Sequence, residues 1–324
     1  MSGIVGLRWG SLRAEDVVDW AVLLGAAEGV DQTGELYDSG DLAEQLGDSL
    51  LDVESGTRAV WDGDKLIAFG TLRCGPTGDP SHRVFFDGVV HPAYRRRGIG
   101  RELTLWALKA APRLSEARHP GRPFEVHADV SESNTGKAAL FEQERFMPQR
   151  WFFVMRRDLV DDVPEVTIPE GVRIAGFGSV YDAEALRVRN ESFADHWGSD
   201  QQNEESWRQW YTGTRSFRPD LSFLAIAAAP HHVAAILLTH YFEADTEATG
   251  HREAWISTIG TRQAWRKRGL ATALIGATLA EARRQGFARA ALAVDADSPT
   301  GALSLYRSAG FHVVHRHIRY VREF

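Results

Sequence analysis

Two stretches of the chain carry the same device: AYRRRGIGREL at 93–103 and AWRKRGLATAL at 264–274. Each follows an apolar, β-branched and aromatic run, HRVFFDGVV before the first and REAWISTIG before the second, and each leads into a helical period. The first helix keeps Ile99, Leu103, Trp106, Ala107 and Ala110 on one face; the second keeps Ala271, Leu274, Ile275, Thr278 and Ala282. Downstream, PFEVHADV at 123–130 and ARAALAVDAD at 288–297 read as strands, followed by the helices GKAALFEQERF and GALSLYRSAGF. Upstream, each half has a strand hairpin: TRAVWDGDKLIAFGTL, with an Asp-Gly turn at 62–63, and SFLAIAAAPHHVAAILLTHYF. A repeat of this length exceeds a solenoid unit and means two copies of one α/β domain. The acidic, proline-bearing segment RRDLVDDVPEVTIPEGVRI separates them, which predicts domains over 1–162 and 163–324. Each is expected to be a twisted mixed β-sheet flanked by helices.

The charge balance narrows the partners. Residues 163–324 hold 18 basic and 18 acidic residues, so the net charge of −7 belongs to the first half. A nucleic-acid surface needs a basic face and is not expected. The lone cysteine, Cys74, forms no internal disulfide and no zinc pattern, and reads as a small buried apolar residue. The pair His231-His232 reads as a polar turn rather than a metal site. The N-terminus lacks the charged and apolar regions of a signal peptide, and no apolar run is long enough to span a membrane. The expectation is a cytoplasmic protein with no metal and no membrane partner.

The basic-glycine turns then need a local purpose. A turn from strand into helix leaves the first helical N–H groups unpaired at the positive end of the helix dipole. Glycine lets an anion approach that backbone closely, and flanking cations add charge-assisted contacts. Arg95, Arg96, Arg97, Gly98, Ile99 and Gly100 in the first half, and Arg266, Lys267, Arg268, Gly269, Leu270 and Ala271 in the second, make a site suited to a diphosphate.

Arg-x-x-Gly-x-Gly/Ala between a strand and a helix resembles the acyl-CoA pyrophosphate loop of the GNAT-family N-acetyltransferases. The second half also matches the family's downstream pattern with Ser298, Ala302, Leu305, Tyr306, Gly310 and Phe311. The tandem layout, the linker and LRVRNESFADH resemble the mycothiol synthases, a family of two-domain GNAT enzymes that acetylate the cysteinyl amine of a glucosamine–inositol conjugate. The resemblance implies acetyl-CoA as acyl donor, a small-molecule primary amine as acceptor, catalysis in the second domain and a degenerate first domain.

Acyl transfer requires a free amine, a polarised thioester carbonyl and a proton for the leaving thiolate. An alkylamine with pKa near ~10 is about one part in a thousand free base at pH 7. The resemblance places the general acid at Tyr306, where the first half has Phe141, which has no proton to give. It places a basic glutamate at Glu253, whose other reading is an ordinary residue at a strand start. Strand alternation puts Glu253 with Trp255, Ser257 and Ile259 on one face. Backbone N–H groups around Ile259 to Thr261 are expected to polarise the carbonyl. Asp295 and Asp297 form a second acidic candidate that reads first as loop and helix capping, with Pro299 near N1. Asp195, His196 and Trp197 fall, by family position, in the acceptor wall; a surface loop or core packing is the alternative. A non-catalytic acyl-CoA sensor and an amino-sugar acetylating enzyme are the rival functions.

Overall fold

The computed structural model describes residues 6–77, 81–160, 167–228, 232–298 and 301–324. His231, Pro299 and linker residues 161–166 lie outside the described residues. The first eleven elements are β1 (Arg8–Gly10), α1 (Val17–Asp31), α2 (Ser39–Leu46), α3 (Val53–Gly56), β2 (Thr57–Asp62), β3 (Lys65–Cys74), β4 (His82–Val90), α4 (Ile99–Arg118), β5 (Phe124–Ser131), α5 (Thr135–Gln143) and β6 (Met147–Asp158). They are followed by β7 (Val172–Gly176), α6 (Asp182–Ser192), α7 (Glu204–Trp207), β8 (Phe223–Ala227), β9 (His232–His240), α8 (Glu243–Thr249), β10 (Glu253–Thr261), α9 (Leu270–Arg284), β11 (Arg289–Asp295), α10 (Ala302–Ser308) and β12 (His312–Glu323).

The chain divides into two units, Met1–Phe152 with His315–Phe324, and Phe153–Val314. In unit 1, β1 to β4 are antiparallel neighbours, and β4 runs parallel to β5 from His82↔Phe124 to Phe85↔His127. The end of β12 then pairs antiparallel with β5, from His317↔Ser131 to Glu323↔Glu125. In unit 2, β7 to β10 are antiparallel neighbours, β10 runs parallel to β11 from Glu253↔Arg289 to Ile256↔Leu292, and β6 lies beyond β11. The two plans are the same.

This division differs from a single cut near 163, because each unit takes its last strand from outside its own half. Leu159 N–H donates to the Ala288 carbonyl at 2.8 Å and Arg289 pairs with Asp158 at 3.4 Å, which ties residues 153–160 to unit 2. The ladder from His317 to Glu323 ties the chain end to unit 1.

Alternation along the strands sorts the cores. In unit 2, Ala235 and Leu237 of β9 face Leu274, Ile275 and Leu279 of α9. Ile236 and Leu238 face Ala185 and Val188 of α6 and Trp207 of α7. Both sheet faces are covered, so this strand reads as an unbroken apolar run, and each buried Leu or Ile contributes roughly 1.5–3 kcal/mol. Gly260 lets α6 approach β10: a Cβ there would lie 3.1 Å from Ser192 Cβ and Oγ. In unit 1, α4 packs Ala107 and Ala111 on Val84, Phe86 and Val126, while α1 and α2 pack Trp20, Leu23 and Leu42 on Trp61 and Phe69. Among the described residues no helix is long and apolar enough to cross a membrane.

Candidate functional site

The two basic-glycine loops have the same backbone. His91 and Arg262 open them at φ −49°, ψ 131° and φ −52°, ψ 141°. One 3-10 turn follows in each, Pro92–Tyr94 and Gln263–Trp265, and then extended Arg95 and Arg266. Arg96 and Lys267 are left-handed at φ 63° and 61°. Gly98 and Gly269 end the loops at φ 90° and 81° and start α4 and α9, with no side-chain cap on either helix. A left-handed non-glycine residue costs about 1–2 kcal/mol. Its presence at matching places marks a conformation built twice. Around Gly269 a Cβ would meet only Pro169 Cγ at 3.8 Å, so protein does not fill the space over the helix start. Uncapped N–H groups, a bare glycine and exposed cations fit a diphosphate.

The three cations of each loop have different duties. The first braces the loop. Arg95 Nε donates to the Val90 carbonyl at 3.0 Å and its two terminal nitrogens fork onto Asp31 at 2.7 and 2.6 Å. Arg266 Nε donates to the Thr261 carbonyl at 3.3 Å and its Nη2 to the Ser192 carbonyl at 3.0 Å. The third stacks on an aromatic ring: Arg97 over Tyr94 and Arg268 over Trp265, both at 4.8 Å. The second, Arg96 or Lys267, is exposed and makes no hydrogen bond or ion pair among the described residues. Arg95 and Arg266 thus hold the loop in shape, and Arg96 and Lys267 are the cations left unengaged among the described residues.

Beyond Ile256 and Leu292 the parallel ladder of unit 2 ends while both strands continue, so β10 and β11 part. Ile259 and Thr261 lie on this open stretch, paired with Leu237 and Ala235 of β9 on the other side. Half of the backbone polar groups from 257 onward therefore face the split. A register shift between Ile256 and Thr258 makes Ser257 a bulge. The bulge overturns the expected alternation. Trp255 pairs with His240, Thr258 with Leu238 and Gly260 with Ile236, so these share the α6 face, whereas Ile259 packs with the α9 core. The matching strand of unit 1, β4, pairs with β3 from Ala68↔Val90 to Cys74↔Val84 without a shift.

Tyr306 packs in the same cluster as Leu292 and Val294 of β11, one wall of the split, with Phe311 edge-on at 6.4 Å. Its hydroxyl has no hydrogen-bond partner among the described residues. Burial pushes that hydroxyl up to about 12, so it keeps its proton at neutral pH. The unit 1 counterpart, Phe141, is a core ring stacked on Phe146 at 5.0 Å.

Glu253 stands at the closed end of the ladder, opposite Arg289. Arg156 Nε donates to its Oε2 at 2.5 Å and Nη2 to its Oε1 at 3.4 Å, so both oxygens are engaged. At about 3.3 Å per residue it lies roughly 13 Å along the strand from the bulge. Asp195 is exposed and His196 and Trp197 are half-buried in the turns after α6. His196 Nδ1 lies 3.0 Å from the Trp197 carbonyl. Asp295 accepts from Asp297 N–H at 2.9 Å, a turn-closing contact. The cap of α10 is Gly301 rather than Asp297 or Ser298, and Pro299 lies outside the described residues.

Sequence reasoning missed Arg189 and Asn190, which fasten the segment that follows α6. Arg189 is buried and donates to the Asp200 carbonyl and, at 3.2 Å, to Tyr211 Oη. Asn190 exchanges two bonds with the Gln202 backbone at 2.8 and 2.9 Å. The one signal was a run of polar residues, RNESF, inside a helical period.

The profile of the Acetyltransferase (GNAT) family matches residues 23–145 and 183–311. The chain is 30% identical to the mycothiol acetyltransferase of Mycolicibacterium vanbaalenii, across 96% of this chain and 100% of that protein. It is 30% identical to that of Thermobispora bispora, across 79% and 81%. Of solved structures, a GCN5-related N-acetyltransferase from Sphaerobacter thermophilus shares the fold at TM-score 0.76 and 24% identity, covering 98% of this chain and 96% of that one. A tandem GNAT protein from the clavulanic acid biosynthesis pathway does so at 0.71 and 21%, covering 98% of each. With a diphosphate-shaped loop in each unit and a family match in each half, the chain belongs to the GNAT acetyltransferases and is a tandem N-acetyltransferase.

Proposed function

We propose that unit 2 transfers acetyl from acetyl-CoA directly to a primary amine of a small molecule, as in the mycothiol acetyltransferases. The acyl donor's diphosphate would rest on the α9 start with Lys267 beside it, and its thioester would enter the split between β10 and β11. The amine nitrogen forms the new C–N bond as the C–S bond breaks. Tyr306 gives the thiolate its proton, and the amine loses one. Glu253 is the carboxylate proposed to take that proton; with both oxygens on Arg156, it reaches the amine only through water and by loosening that pair. Asp195, His196 and Trp197 would line the acceptor side.

The observation that carries this reading is the contrast between the protonated, unpartnered Tyr306 hydroxyl in unit 2 and the packed Phe141 ring in unit 1. The test is thiol release from acetyl-CoA over a panel of amines: cysteinyl-glucosaminyl-inositol, aminoglycosides, amino acids, polyamines and a lysine peptide. Turnover with one of the first group and its loss in Tyr306→Phe support the reading. Silence with every amine, while acetyl-CoA still binds, favours a sensor.

The identical loop backbones support a second reading for unit 1, that it binds acetyl-CoA without turning it over. Calorimetry finding one acetyl-CoA per chain counts against it.

A further inference from the structure

We infer that His240 holds the acceptor's ammonium group in unit 2, its Nε2 accepting a hydrogen bond from the amine. This rests on the acetyl-transfer reading above and adds the residue that would receive the acceptor.

His240 is 4% exposed, and its Nε2 is enclosed with no hydrogen-bond partner among the described residues. Buried polar atoms in folded proteins are nearly always paired, so an orphan asks for a ligand. The other face of the ring is fixed. Nδ1 lies 3.1 Å from Ser216 Oγ and 3.4 Å from Thr214 Oγ1. The Thr214 hydroxyl donates to the Tyr211 carbonyl at 3.4 Å, which leaves its oxygen to accept from the Ser216 hydroxyl at 3.2 Å. With Ser216 Oγ–H spent on Thr214, its oxygen accepts from Nδ1–H, and we assign the ring proton to Nδ1 and a lone pair to Nε2 on that chain of bonds. Burial pushes the imidazole down to about 4, so it is neutral and can accept.

His240 stands next to the split along the strand, level with the last paired residues of the closed ladder. His240 pairs with Trp255, two residues before the Ser257 bulge, and shares the α6 face with Thr258 and Gly260. Phe217 and Phe242 flank the ring at 5.6 and 6.4 Å. A neutral acceptor between aromatic rings suits an alkylammonium, which gains both a hydrogen bond and cation–π attraction.

The two units differ here as they do at Tyr306. The residue of β3 at the same register is Cys74, paired with Val84, whose thiol burial pushes up to about 11. A buried thiol offers only a weak acceptor. Two other imidazoles with an unpartnered Nε2, His82 and His119, lie against each other at 4.3 Å in unit 1, His82 at the closed end of its ladder.

The test compares His240→Phe, which fills the space without an acceptor, with His240→Gln, whose amide oxygen stands near the Nε2 position. Both are assayed for thiol release with the amine panel, and their melting temperatures and acetyl-CoA binding are measured. The expected result is an amine KM raised roughly ten- to hundredfold in His240→Phe, an unchanged acetyl-CoA KM, and recovery to within about threefold in His240→Gln. An amine KM unchanged in His240→Phe overturns the inference while leaving acetyl transfer standing. So does equal loss in both variants together with lowered melting temperatures, the mark of a structural role. Failure of the wild-type protein to acetylate any amine overturns the acetyl-transfer reading, and this inference with it.

Discussion

Arg95 forks its guanidinium onto the carboxylate of Asp31, with both contacts under 3 Å, whereas among the described residues its counterpart Arg266 donates to backbone carbonyls alone. One loop shape is thus held by an ion pair in unit 1 and by neutral acceptors in unit 2. Asp31 is 15% exposed and Arg95 29%, so the pair is partly withdrawn from water. Asp31→Asn is expected to lower the stability of unit 1 by roughly 1–3 kcal/mol and to leave acetyl transfer unchanged. Denaturant unfolding beside a turnover assay checks both parts.

Tyr306→Phe removes a proton donor and little volume. If the hydroxyl protonates the leaving thiolate, kcat falls about 10²- to 10⁴-fold and the acetyl-CoA KM stays within about twofold. Because burial raises the hydroxyl to about 12, the wild-type rate should show no decline from tyrosine ionisation below about pH 11. Steady-state kinetics over pH settles it, and an unchanged kcat removes Tyr306 from the chemistry.

Gly269 sits at φ 81° directly over the start of α9. Gly269→Ala adds left-handed strain and a methyl group where a diphosphate would approach. The expected effect is an acetyl-CoA KM raised roughly tenfold, equivalent to 1.4 kcal/mol. Gly98→Ala makes the same change at φ 90° in unit 1 and should leave turnover intact. Equal loss in both variants would mean that unit 1 takes part in catalysis.

Two buried histidines set a pH dependence of stability. Burial, and for His82 also the neighbouring His119, pushes His82 and His240 down to about 4. Their unfolded pKa is near ~6.5. Between those values the unfolded chain binds more protons than the folded one, so stability rises with pH. The protein should lose on the order of 3 kcal/mol per histidine on going from pH 6.5 to below 4. Urea unfolding at pH 4.5 and 7.5 measures this, and His240→Phe should flatten part of the slope.

Much of the architecture could be read from the sequence, because its signals are local. A left-handed glycine at a helix start and a basic turn after a strand leave marks within ten residues, and they appear twice. Phe141 against Tyr306 was legible in the same way. The Ser257 bulge was not, since one extra residue in a strand changes the facing of Trp255 and Ile259 without changing composition. The engagement of Glu253 by Arg156 depends on residues 97 positions apart. His240 reads as the polar end of AAILLTH, and its orphaned nitrogen emerges only when Ser216, Thr214 and the two phenylalanines are brought around it.

The exchange of closing strands has a consequence for how the protein is made. The partner of β5 is not synthesised until residues 317–323, long after β5 itself. During translation unit 1 therefore carries an open edge at β5, with unpaired N–H and C=O groups available to other nascent chains. Deleting residues 315–324 should leave unit 2 able to fold and unit 1 prone to aggregate, although the deleted segment is remote in sequence from nearly everything it damages.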